Sequence, residues 1–89
     1  MALVHRLLAD RAKTHGRFEE VALCSQRTKE LWRQQPNWSK LTDCQREALE
    51  AIASKVARIL CGNPSYPDHF RDIAGYAELV VNRLNERGR

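Results

Sequence analysis

The sequence predicts an all-α protein, a small helical bundle of about four helices in which helices three and four form an antiparallel hairpin. Three observations lead to this fold class. Apolar residues recur at helical spacing in four stretches, the joints between these stretches contain Gly or Pro, and no stretch alternates as a half-buried strand does. Because 89 residues is about the size of one hydrophobic core, residues 1–89 are expected to form a single domain.

The first two helices are predicted from their apolar stripes and from the residues that end them. Helix one is expected from about Ala2 to Lys13, and Gly16 supplies the left-handed turn that follows it. Helix two is expected from about Phe18 to Gln34 and stops before Pro36. The residues expected to face the core are Leu3, Val4, Leu7 and Leu8 in helix one, and Phe18, Val21, Ala22, Ser25, Thr28 and Trp32 in helix two.

Helices three and four have clearer starts. Thr42 and Gln45 have the spacing of a capping box, which predicts the start of helix three, and this helix continues to Gly62. Ser65, with a carboxylate three residues later, is expected to cap helix four, which runs to about Glu86. The short connection leaves the two apolar stripes facing each other. These stripes are Ala48, Leu49, Ile52, Ala53, Val56, Ile59 and Leu60, and Phe70, Ile73, Tyr76, Ala77, Val80 and Leu84.

Composition and charge narrow the class of protein. Hydrophobic residues make up 43% and charged residues 29% of the chain, a balance typical of a folded protein. The net charge of +4 favours anionic partners, but no basic run is present, so nucleic-acid binding is not expected. Charges interrupt the apolar N-terminus, which predicts no export signal and no membrane anchor. Cys24, Cys44 and Cys61 include no CxxC pair and are expected to be reduced thiols in the cytoplasm.

The small size also predicts self-association. A fold of this length buries only about 60–65% of the surface of its unfolded chain, so a monomer has little stability to spare. A homo-oligomer is therefore expected.

The candidate site lies at the shoulders of helices three and four. Asp68, Asp72 and Gly75 share one ridge of helix four, with Tyr76 one turn beyond Asp72. Since Gly is costly inside a helix, Gly75 is expected where another helix or a ligand approaches the backbone.

On helix three, Lys55 and Arg58 lie beside the apolar face. Two interpretations stay open. Lys55 or Arg58 forms interhelical salt bridges with Asp68 or Asp72. Alternatively, these residues form a polar pocket in which the cations hold a phosphate or the acids hold Mg²⁺. His69 is expected to be a packed core histidine.

Parts of the sequence resemble a family of small phage and prophage proteins of unassigned function. They are Phe18 after His15-Gly16, the runs QREALEAI at 45–52 and KVARIL at 55–60, and DIAGYAEL at 72–79. The "K-x-A-R" helix followed by "DIAGYA" is the signature of this family. The resemblance implies a helical accessory protein in the cytoplasm of a bacterial host cell.

That family is in turn similar to the all-α nucleoside triphosphate pyrophosphohydrolases of the MazG type, in which ExxE and ExxD motifs hold Mg²⁺. Glu47 and Glu50 satisfy ExxE, and Asp72 matches the acid of the second motif. His69 stands where that motif has Glu, so Asp68 would have to replace it. The resemblance implies that Glu47, Glu50 and Asp72 would hold the metal ion if the protein were such a hydrolase.

Three functions follow. The resemblance, taken together with the residues, implies a non-catalytic phage-type accessory protein without a cofactor, which binds a nucleotide-like anion or a host protein as a helical oligomer. Its ligand-binding residues would be Lys55, Arg58, Asp68, Asp72 and Tyr76. The first alternative is a Mg²⁺-dependent MazG-like pyrophosphohydrolase. The second alternative is an inhibitor of a host defence complex that acts by protein contact alone.

Overall fold

The computed structural model describes the backbone of residues 2–87 and the side chains of residues 3–86. Within this range the chain forms four α-helices and one short 3₁₀ turn, and no strand. The elements are α1 (Ala2–His15), α2 (Phe18–Arg33), the 3₁₀ turn (Trp38–Lys40), α3 (Asp43–Cys61) and α4 (Pro67–Arg87). The predicted fold class is confirmed.

Helix α3 is the centre of the molecule. It packs most extensively against α4, which confirms the predicted hairpin, and then against α2, while α1 makes smaller contacts with α2 and α3. The buried apolar residues of α3 are Ala48, Ala53 and Ala57, and the buried residue of α2 is Ser25, whose hydroxyl lies 3.2 Å from that of Ser54 in α3. Small side chains allow the helix backbones to approach closely, so this core is thin.

The predicted capping box is present at the start of α3. The backbone N–H of Gln45 donates to Thr42 Oγ1 (3.2 Å), and the Thr42 N–H donates to Gln45 Oε1 (2.8 Å). The predicted cap of α4 is wrong, because α4 begins at Pro67 and Ser65 lies outside it. Proline suits the first helical position since it has no N–H to satisfy there. The Ser65 N–H instead donates to Asn63 Oδ1 (2.9 Å) within the turn.

Two glycines join the ends of α1 and α3. Gly16 has a φ of +85°, the left-handed conformation predicted for it. Gly62 has a φ of −118°, which does not itself require glycine. Glycine is needed here because two backbones come close together. A Cβ atom on Gly62 would lie 2.6 Å from the backbone nitrogen of Gly16 and 2.6 Å from the Thr14 carbonyl oxygen. No side chain fits between these two backbones.

His69 links α4 to this junction. It is 1% exposed, which confirms a packed core histidine. Its Nε2 lies 3.0 Å from the Thr14 carbonyl oxygen, and its ring packs edge-on against the rings of His15 (centroids 4.7 Å apart) and Tyr66 (4.9 Å). The end of α1 is thereby fixed to the start of α4.

Gly75 does not lie between α3 and α4. A Cβ atom built on it would meet nothing within 4 Å, so the expectation that another helix of this chain approaches there is wrong. The face of α4 that carries Gly75 points away from α3, because the stripe of Ile73 and Val80 occupies the opposite side.

Much of the predicted core lies on the surface. Phe18 is 81% exposed, and all four residues of the α1 stripe are at least half exposed. Leu60, Phe70 and Leu84, which were also expected to be inside, are exposed. The molecule is elongated, with extents of 53 × 25 × 24 Å. None of its described helices combines the length and hydropathy needed to span a bilayer.

Candidate functional site

Lys55 and Asp72 form a salt bridge between α3 and α4. The Lys55 Nζ lies 2.9 Å from Asp72 Oδ2, and the lysine side chain is only 18% exposed. The hydrogen bond from Lys55 is the main cause that lowers the pKa of Asp72. Of the two interpretations of the Lys55 and Asp72 ridge, the structure therefore matches the interhelical salt bridge.

Asp68 and Tyr76 have different surroundings. Asp68 pairs with Arg71 within α4 (2.8 Å) and not with a cation of α3. Tyr76 is half-buried beside Leu79, in an apolar groove between α3 and α4 that also includes Cys44. Of the predicted ligand-binding residues, Asp72 thus shares a surface with Tyr76, while Asp68 is paired within its own helix.

The three acids of the hydrolase alternative point in different directions. Glu50 accepts a hydrogen bond from Arg33 of α2, and Asp72 accepts one from Lys55 on the side of α4. Glu47 is exposed and lines the groove beside Tyr76. Among residues 2–87, no three His, Cys, Asp or Glu side chains are grouped as a metal site requires. Glu50 and Asp72 are each neutralised by a cation of the protein.

Arg58 faces a second groove, between α1 and α2. This groove has a volume of about 630 Å³, and cationic, aromatic and aliphatic side chains line it. The main lining residues are Leu8, Arg11, His15, Arg17, Phe18 and Arg58. The sequence did not predict this groove because its residues come from three separate elements. The only signal in the sequence was the excess of basic residues.

The groove is electropositive. Burial lowers the pKa of His15, and the nearby charges of His69, Arg11 and Arg58 lower it further. Arg17 has only a loose pair with Glu20, at 3.9 Å. Within the described part of the chain, no carboxylate lies within 4 Å of the Arg58 guanidinium.

Cys61 lies near Cys24 of α2. Burial and the neighbouring Cys24 thiol raise the pKa of Cys61, so at neutral pH it stays a thiol and is a poor nucleophile. Cys24, Cys44 and Cys61 are all free in the structure.

Comparison with protein-family models, with curated proteins and with solved structures finds no significant match to this chain.

Proposed function

We propose that the protein is a non-catalytic, phage-type accessory protein that acts by binding, as a helical homo-oligomer whose ligand is a nucleotide-like anion or a host protein. The observation that supports this most directly is its uncovered surface. The accessible area is 6745 Å², whereas a compact monomer of 10.3 kDa exposes about 5,350 Å². The excess of about 1,400 Å² per chain is in the range that an obligate dimer buries on each subunit.

The shape of the chain supports the same proposal. Its Cα radius of gyration is 15.4 Å, compared with about 12 Å for a compact domain of 89 residues. An isolated domain of this size is normally compact, because a compact shape buries the most apolar surface. Here the extended form leaves helix faces free to pack on another subunit.

Helix α1 carries the surface that fits a second copy best. Its apolar stripe is continuous along two turns and uncovered; its residues are Leu3, Val4, Leu7 and Leu8. Fully burying one such side chain contributes about 1.5–3 kcal/mol, and a twofold contact buries each of them twice. The stripe therefore supplies an apolar centre for a contact between two chains.

The charges beside the stripe favour an antiparallel pair of α1 helices. Arg6 and Asp10 lie four residues apart on the same flank of α1. A twofold axis perpendicular to two antiparallel helices sets the same flank of each helix against the other. In that arrangement the flank of one copy that carries Arg6 and Asp10 faces the same flank of the other, whereas a parallel pair would separate these flanks.

We do not propose catalysis, because two of the acids that it would need are paired with cations. The hydrolase alternative needs Glu47, Glu50 and Asp72 around one metal ion. Arg33 and Lys55 already neutralise two of these acids, on two different sides of α3. A shared metal site would require both ion pairs to break.

Sedimentation velocity on the purified chain tests the proposal. We expect a species of about 21 kDa, twice the 10.3 kDa of the monomer. Leu7→Glu, at a residue 60% exposed, should yield monomers because it places a charge in the stripe; Leu23→Glu on α2, at a residue 59% exposed, is the matched control and should stay dimeric. Helical content by circular dichroism should be the same for all three proteins.

Two results would contradict this proposal. A wild-type chain that sediments as a monomer at the highest attainable concentration would exclude the oligomer. A dimer that Leu23→Glu dissociates and Leu7→Glu leaves intact would exclude α1 as the interface.

A further inference from the structure

We infer that the groove between α1 and α2 binds a mononucleotide, with its phosphates on Arg58 and Arg11 and its base on the ring of Phe18. This inference rests on the proposed binding function and names its ligand, but it does not depend on the dimer. It also moves the ligand site away from Lys55 and Asp72.

The first step is the convergence of positive charge. Arg11 and His15 come from α1, Arg17 from the turn that follows it, and Arg58 from α3. These elements meet at the junction of Gly16 with the end of α3, which fixes their relative positions. Glu19 is the one carboxylate on the wall of this groove. The groove therefore has a net positive charge.

Arg58 and Lys55, which lies one turn earlier on the same helix, differ in their carboxylate partners. Lys55 is compensated by Asp72 at 2.9 Å. Arg58 is half-buried, and no carboxylate within the described residues pairs with it at 4 Å or less. Asp72 feels the charge of Arg58 but is already paired with Lys55, so an anionic ligand still lowers the cost of this partly desolvated guanidinium. The planar guanidinium also matches two phosphate oxygens at once.

The third step is the aromatic wall. Phe18 is 81% exposed although it lies on the inward face of α2. It lines the same groove as the arginines, as does Val21. A free phosphate has no use for an apolar wall, whereas a nucleotide base stacks on an exposed aromatic ring. The volume of about 630 Å³ is within the usual range of about 300–1,000 Å³ for small-ligand sites.

Isothermal titration calorimetry with ATP tests the inference, with inorganic tripolyphosphate as the ligand that lacks a base. We expect ATP to bind the wild type more tightly than tripolyphosphate. Arg58→Met should weaken ATP binding by about 10- to 100-fold, the effect of losing a charge-assisted hydrogen bond. Lys55→Met is the matched control and should change it by less than about threefold, since Lys55 is held by Asp72.

Phe18→Ala distinguishes the contribution of the base to binding from that of the phosphates. It should weaken ATP binding by about 5- to 100-fold, as loss of one stacking contact does, and leave tripolyphosphate binding unchanged. Because Phe18 is so exposed, this substitution should not alter the fold, which circular dichroism checks.

Three outcomes would overturn the inference. These are no heat with ATP, an equal loss in Lys55→Met and Arg58→Met, or equal affinity for ATP and tripolyphosphate. Sedimentation of the same samples keeps the two proposals apart. A dimer that does not bind ATP rejects the groove and leaves protein contact as the function, whereas a monomer that binds ATP rejects the dimer alone.

Discussion

Gly62 and Gly75 both belong to the α3 and α4 hairpin, yet their surroundings give the same substitution opposite effects. Gly62→Ala should destabilise the fold by about 2 kcal/mol or more, because its Cβ would lie 2.6 Å from backbone atoms of Gly16 and Thr14. Gly75→Ala should stabilise it by about 0.5–1 kcal/mol, because alanine favours the helix and its Cβ has free space. Urea unfolding of the two variants measures both changes.

The same pair tests whether another subunit contacts Gly75. If a second copy packed closely on this glycine, Gly75→Ala would lower stability and weaken association. A stabilised variant with unchanged sedimentation would show that neither a helix nor a ligand requires glycine there.

The protonation of His15 should make stability depend on pH. Burial and the charges of His69, Arg11 and Arg58 lower its pKa in the folded state from the ordinary value of 6.5. Tyr66 and the Thr14 side chain also face this ring. As the pH falls below about 6.5, the unfolded chain takes up a proton that the folded chain resists. The free energy of unfolding should therefore decrease from pH 6.5 down to the lowered pKa of His15.

Unfolding in urea at pH 7.5 and 5.5 measures this effect. His15→Gln should reduce the difference between the two values, while His5→Gln, on the exposed part of α1, should not. This pH range is separate from the range in which Asp72 affects stability. Because the pKa of Asp72 is lowered, its contribution to the free energy of unfolding is lost only as the pH falls below 3.8, the ordinary pKa of an aspartate. An equal pH dependence in wild type and His15→Gln would contradict the assignment.

At the scale of helices, local signals predicted the fold well. The capping box at Thr42, the left-handed Gly16 and the break at Pro36 are properties of a few adjacent residues, and the structure has all three features at or near the expected positions. The start of α4 was missed because Ser65 and Pro67 are competing signals, and proline decided the boundary.

The candidate site could be predicted only in part. The sequence predicted a salt bridge of Lys55 or Arg58 with Asp68 or Asp72, because these residues border the stripes of two neighbouring helices. Of these pairings the structure has Lys55 with Asp72. Arg58 was placed with them, since it is one turn away on the same helix. Its surroundings depend on where α1 ends, and that position is fixed by the contact of Gly16 with Cys61. A contact between residues so distant in the chain leaves no periodic pattern in the sequence.

For the molecule as a whole, helical periodicity identified apolar stripes but not what covers them. The stripe of α3 is buried at Ala53 and Ala57, whereas Phe18 and the α1 stripe are largely exposed. A period of 3.6 residues reports that a face is apolar, and it is the same for a core and for a subunit interface.

If the dimer is the folded unit, its thermal stability should depend on protein concentration. Unfolding then releases two chains from one particle, so each tenfold rise in concentration favours the folded dimer by about 1.4 kcal/mol. With an unfolding entropy of about 2.1 cal/mol/K per residue over two chains of 89 residues, this corresponds to a rise in Tm of about 4 °C. Differential scanning calorimetry over a hundredfold range should therefore show a shift of about 8 °C for the wild type. Leu7→Glu should melt at a lower temperature that does not change with concentration, because its α1 stripe no longer accepts a second copy. A wild-type Tm independent of concentration would mean that the exposed stripe belongs to a stable monomer, whose apolar face is then free for a different protein.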